Sequence, residues 1–136
     1  NYLLENGMQS IVVVGAPTEI EQISSIFTSE HIINVLPEMS IGRLFAVIED
    51  ADVVLANDSA ALHIAVGFKR PLIALFGPTN PSVVGPYKQY ETVIAAAVDY
   101  GSTHYRDKKI GDSIMRLIQV DDVIEALHAL LEKQEG

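Results

Sequence analysis

What most constrains this chain is the alternation of short, wholly apolar runs with stretches of helical spacing. Ile11-Val12-Val13-Val14 stops at Gly15, Val53-Val54-Leu55-Ala56 stops at Asn57-Asp58-Ser59, and Pro71 to Phe76 stops at Gly77-Pro78. Ile32 to Leu36 and Glu91 to Ala97 read as further strands. A run that is apolar at every position fits a strand covered on both faces, as in parallel sheets. Between these runs, Ile20, Ile23, Ile26 and Phe27 recur at helical spacing from Glu19 to about Ser29. Ser40 stands as an N-cap before Ile41, Leu44, Phe45 and Ile48, and Ala60 to Val66 forms a short helix closed by Gly67. A last helix, about Asp122 to Lys133, puts Val123, Ile124, Leu127, Leu130 and Leu131 on one side and opens on acids that suit its dipole. This order predicts an α/β fold with a doubly wound, Rossmann-like parallel sheet. Residues 1–136 read as one domain without repeat, low-complexity segment or linker. The opening Asn1-Tyr2-Leu3-Leu4-Glu5-Asn6-Gly7 reads as the end of a helix whose start is absent, so a piece of a longer protein is expected.

Length and charge narrow the function. With 136 residues, 49% of them hydrophobic, the chain can bury one real core. Nine basic against eighteen acidic residues leave a net charge of −9, which argues against binding nucleic acid. A small anion remains possible, because the backbone N–H groups at a helix start hold phosphate without net positive charge. The absence of cysteine removes disulfides and thiolate metal sites and agrees with a reducing, cytoplasmic setting. Histidines 31, 63, 104 and 128 show no ligand spacing, so no metal is expected. No apolar run reaches the ~20 residues of a transmembrane segment.

In open α/β sheets ligands bind beyond the C-terminal strand ends. That rule selects Gly15-Ala16-Pro17-Thr18-Glu19, Asn57-Asp58-Ser59-Ala60 and Gly77-Pro78-Thr79-Asn80-Pro81. The middle loop opens a helix, where up to ~4 backbone N–H groups lack internal partners. His63 follows Ser59 by four positions and projects from the same face. Together they can cradle a diphosphate; the same residues also suit a plain capped helix with His63 half-buried in packing, and the pattern alone does not decide. A hydrolytic triad of Asp58, Ser59 and His63 is disfavoured, because a nucleophile elbow needs glycines around its serine. The first loop lacks the glycine spacing of a dinucleotide site. Glu19 there fits either a ribose contact or a favourable charge in a first helical turn. The third loop, rich in glycine and proline to Gly85-Pro86, reads as a fixed irregular connection. Arg106 with Lys108-Lys109 reads as solvated surface.

Three segments then resemble one family in order: Asn57-Asp58-Ser59-Ala60-Ala61-Leu62-His63-Ile64-Ala65, Pro71-Leu72-Ile73-Ala74-Leu75-Phe76-Gly77-Pro78-Thr79, and Gly85-Pro86-Tyr87. With Gly15 to Glu19 and Leu36-Pro37-Glu38-Met39-Ser40 upstream, they are similar to glycosyltransferase family 9, the ADP-heptose:lipopolysaccharide heptosyltransferases. The resemblance runs over roughly residues 10 to 130. It implies a GT-B architecture, two Rossmann-like domains facing across a cleft, with this chain as the C-terminal, donor-binding half. It also implies that Asp58, Ser59, Ala60 and His63 meet the diphosphate and donor sugar, with Thr79 a neighbouring contact. Glu19 would hold the ribose, and the backbone around Met39 the adenine. The family's general base, most acceptor contacts and a phosphate-binding lysine lie upstream of the matched residues, so no catalytic residue is expected here.

The implied reaction is inverting transfer of heptose from ADP-heptose to a lipid-linked saccharide of the lipopolysaccharide core. It needs no cofactor or bound metal. The implied partners are the donor, the chain's own N-terminal domain and, through that domain, the acceptor at the inner membrane surface. One departure stands out. Where the family has Thr-Gly, this chain has Ser59-Ala60, which keeps the hydroxyl but adds a methyl where backbone approaches phosphate. An inactive nucleotide-sugar-binding module and a GT-B-like nucleotide-sugar epimerase are the alternatives.

Overall fold

The computed structural model of the protein describes residues 2–5, 7–23, 25, 29–101 and 108–135. Ser24, Ile26 and Phe27 of the expected second helix, His104 and Arg106, and Asn1 and Asn6 lie outside the described residues. The chain divides into two compact units, Asn1–Val47 and Ile48–Gly136.

In the first unit, α1 (Tyr2–Glu5) ends at Gly7, whose φ of 97° is the left-handed conformation glycine adopts cheaply at a helix end. β1 (Ile11–Val13) pairs in parallel with β2 (Ile32–Asn34), with Val12 opposite Ile33. Both of these central residues are exposed, at 39% and 44%, so this sheet is not covered on both faces as its apolar runs predict. The second strand also stops early. The Asn34 side chain accepts from the Leu36 N–H, turning the chain into a 3-10 turn over Leu36–Glu38 that buries Leu36 completely. α2 covers Ile20–Ile23. α3 (Ile41–Asp50) begins as expected: the Ser40 hydroxyl accepts from the Arg43 N–H at 3.2 Å. The division between the units falls within this helix.

The second unit is built on β3 (Val54–Asn57), β4 (Leu72–Phe76) and β5 (Val93–Ala95), all parallel, in the order β3-β4-β5. Central β4 carries the core. Leu72, Ile73, Ala74 and Phe76 are at most 1% exposed, the pattern its unbroken apolar run predicts. Edge strand β3 instead alternates, with Val54 and Ala56 buried and Leu55 54% exposed. β5 is shorter than the sequence pattern, because residues 90–92 form a 3-10 turn before it.

α4 (Ala60–Gly67) follows β3 directly and packs Leu62 and Ala65 out of solvent against β3 and β4. α5 (Pro81–Val84) is a single turn inside the stretch expected to be irregular, started by the Asn80 side chain accepting from the Ser82 N–H at 2.9 Å. α6 (Lys108–Met115) occupies a polar stretch to which the sequence pattern assigns no element, and α7 (Val120–Glu135) is the expected final helix, two residues longer at each end. Among the described residues no helix is long and apolar enough to cross a membrane.

Candidate functional site

The C-terminal ends of β3 and β4 point the chain into the two loops that the fold rule selects. β3 ends at Asn57, and Asp58 and Ser59 carry the backbone into α4. Ser59 is the N-cap, extended at φ −152° and ψ 172°, but its side chain makes no capping hydrogen bond. The first turn of α4 therefore keeps its N–H groups available to an external acceptor rather than to its own cap. Asp58, Ala60 and His63 are exposed around that helix start and Ser59 is half-buried. Exposure settles one open point. His63 is not packed beneath the helix, a task that falls to Leu62 and Ala65.

Beside this helix start lies a cleft of about 230 Å³. Asn57 and Asp58 border it from the end of β3, and Leu75 with Gly77, Pro78 and Thr79 from the end of β4. Its third side is α6, through Gly111, Asp112 and Met115. The structure thus brings Asp58 and Thr79 together on one cavity, while Ser59, Ala60 and His63 stand at the adjoining helix start rather than on its lining. α6 is the part sequence reading misses. Its signal is faint, since Ile110 and Ile114 at a four-residue interval are interrupted by Gly111.

Glu19 and Met39 belong to the first unit. One Glu19 carboxylate oxygen accepts from the Ala16 N–H at 2.7 Å, tying the Gly15–Glu19 loop to itself. Gly15 leaves room for that return, as a Cβ there would stand 2.8 Å from the same oxygen. Among the described residues the other Glu19 oxygen has no hydrogen-bond partner. The Met39 N–H donates to the Leu36 carbonyl at 3.1 Å, leaving the Met39 carbonyl without a backbone partner among the described residues. The neighbouring turn is fastened by Arg43, whose guanidinium donates to the Glu38 carboxylate and carbonyl. That hydrogen bond and the positive charge hold the Glu38 carboxyl below its ordinary value.

Comparison with known proteins identifies the family. The family model described as glycosyltransferase family 9 (heptosyltransferase) matches residues 1–112. The chain belongs to glycosyltransferase family 9. It is 30% identical over 94 residues to lipopolysaccharide heptosyltransferase 1 of Escherichia coli (strain K12), covering 69% of this chain and 30% of that protein. It is 30% identical over 105 residues to lipopolysaccharide heptosyltransferase 2 of the same strain, covering 76% of this chain and 30% of that one. Among solved structures, the glycosyl transferase family 9 protein from Veillonella parvula DSM 2008 superposes with a TM-score of 0.80 at 25% identity, over 97% of this chain and 39% of that chain. The E. coli ADP-heptose LPS heptosyltransferase II superposes with a TM-score of 0.71 at 23% identity, over 99% and 40%, which bears on the fold alone. This family 9 chain thus has the family's Rossmann-like α/β fold and spans about 30% of the length of the curated relatives it matches.

Proposed function

We propose that this chain is the donor-binding part of a heptosyltransferase of GT-B architecture. In this reading the diphosphate of ADP-heptose lies at the N-terminus of α4, with Asp58, Ser59, Ala60, His63 and Thr79 around the diphosphate and sugar. The observation that carries the proposal is the helix start itself, uncapped by Ser59 and placed at the end of a parallel strand with His63 exposed beside it. Oriented N–H groups at a helix start stabilise phosphate oxygens, and do so more strongly as the leaving diphosphate gains charge. Binding that strengthens toward the transition state lowers the barrier and not merely the substrate's free energy. The proposed nucleoside contacts, Glu19 and the Met39 backbone, belong to the first unit.

The attacking hydroxyl belongs to a lipopolysaccharide core saccharide, a reading supported by relatives named lipopolysaccharide heptosyltransferases, and transfer inverts the anomeric carbon. In the longer protein the general base and the acceptor contacts are supplied by an N-terminal domain working at the cytoplasmic face of the inner membrane. Ala60 favours a second reading, a donor-binding module without transfer activity. It is exposed at the first position of α4, with a methyl where the family's glycine gives phosphate closest access.

Calorimetric titration of the chain with ADP, UDP and ADP-heptose tests the donor assignment. The adenine nucleotides bind in preference to UDP, and His63→Ala weakens them by about tenfold, the loss of one hydrogen bond to a charged group. A preference for UDP would remove the heptose assignment, and an unchanged affinity in the His63 variant would remove that residue from the site. Transfer by the full-length protein, recovered only with Ala60→Gly, would select the second reading.

A further inference from the structure

The turn between β2 and α3 is fixed peptide by peptide. Its entry is set by the Asn34 side chain, which accepts from the Leu36 N–H at 3.0 Å, and by the fully buried Leu36 side chain. Its exit is set by Ser40, whose hydroxyl accepts from the Arg43 N–H at 3.2 Å. Between them the Glu38–Met39 peptide is held at both polar ends. The Met39 N–H donates to the Leu36 carbonyl at 3.1 Å, and the Arg43 Nη1 donates to the Glu38 carbonyl at 3.3 Å. The same nitrogen donates to the Glu38 carboxylate, which keeps the guanidinium over the turn.

The side chains of Arg43 and Glu38 are 44% and 75% exposed, so their pairing adds little to stability. Its consequence is orientation. Peptide groups are planar, and only the two dihedrals of Met39, φ −66° and ψ 127°, separate the Glu38–Met39 plane from the next one. Fixing the first plane therefore limits where the Met39 carbonyl points. A purine is told apart at its 6-position by what it offers there. The adenine amino group donates and suits a carbonyl, whereas a 6-oxo group accepts and sets two acceptors face to face. A carbonyl already held in place gives that distinction without an ordering cost on binding.

We infer that Arg43 is a positioning residue for selection of the base. Through the Glu38 carbonyl it orients the Met39 carbonyl, which accepts from the 6-amino group of adenine. The inference rests on the donor-binding reading, in which the Met39 backbone meets the adenine, and adds to it a side chain that itself touches no ligand.

The test is titration of the 136-residue chain and its Arg43→Ala and Arg43→Lys variants with ADP and with inosine diphosphate, in which a 6-oxo group replaces the amino group. Arg43 is exposed, so unchanged thermal unfolding of both variants is the control for folding. The wild-type chain prefers ADP by about tenfold, and Arg43→Ala loses most of that preference by binding ADP more weakly while holding inosine diphosphate as before. Arg43→Lys, with one nitrogen to offer the turn, retains part of it. An equal preference in wild type and Arg43→Ala overturns the inference and leaves the donor reading standing. Equal weakening of both nucleotides also overturns it, because a lost positive charge or a loosened turn acts on the two alike. A wild-type chain that does not distinguish the two nucleotides overturns the Met39 carbonyl contact and the inference with it. Failure of the wild-type chain to bind either one overturns the donor reading itself.

Discussion

Gly77 and Gly85 show how much single residues decide in this chain. At Gly85 an added Cβ would run into the Pro81 carbonyl, the acceptor of Gly85's own N–H, so the turn closed by α5 admits no side chain there. At Gly77 the obstacle is Met115, a flexible side chain together with its backbone N at 3.3 Å. Gly77→Ala is therefore expected to lower stability by about 1–3 kcal/mol through overpacking. Chemical denaturation reads this as a lower midpoint at unchanged slope, with Met115→Ala recovering part of the loss in the double variant. A Gly77→Ala chain as stable as wild type would show that α6 is not seated as described. The sequence marks Gly77 and Gly85 as loop residues, but their necessity comes from neighbours that no local pattern reveals. His63 is the same kind of case. Its spacing from Ser59 is legible, while its exposure depends on Leu62 and Ala65 taking the buried face of α4.

At the scale of elements, α4 is informative at both ends. Its start is the uncapped terminus of the candidate site, and its end is closed by a left-handed residue that is not the expected glycine. The Arg70 N–H donates to the Ala65 carbonyl and the Lys69 N–H to the Val66 carbonyl, a Schellman arrangement in which Lys69 takes φ 56°. Gly67 stays inside the helix. Lys69→Gly is expected to raise stability by about 1 kcal/mol, because a side chain in that conformation is strained and glycine is not. A rise in the midpoint of thermal unfolding measures it, and a fall would contradict the assignment of the turn. The segments β3, α4 and β4 are legible in the sequence because an apolar run, a turn cluster and a helical stretch follow one another without overlap. α6 is not, since Gly111 lowers its helical propensity and of its two isoleucines only Ile114 is buried, Ile110 being exposed. The cleft's third side was hidden for that reason, and Asp112 with it. Strand lengths miss where capping geometry intervenes, as when Asn34 turns β2 aside at Leu36.

For the molecule as a whole, the net charge of −9 sets a condition on the proposed function. An anionic nucleotide sugar gains no long-range attraction from such a chain, so its binding must come from short-range contacts with oriented donors. The described cleft lining has no cation, which leaves the N–H groups that open α4 and the His63 ring as the donors the account relies on. Family membership supplies the fold; the placement of the diphosphate on α4, which the resemblance implies and the uncapped helix start supports, is the central proposal. It is tested most directly by following the backbone amide resonances of isotopically labelled chain during titration with ADP. The account predicts that the Ala60, Ala61 and Leu62 amides shift furthest and move together with the His63 ring as the site saturates. Saturable ADP binding that leaves those amides unmoved would contradict it.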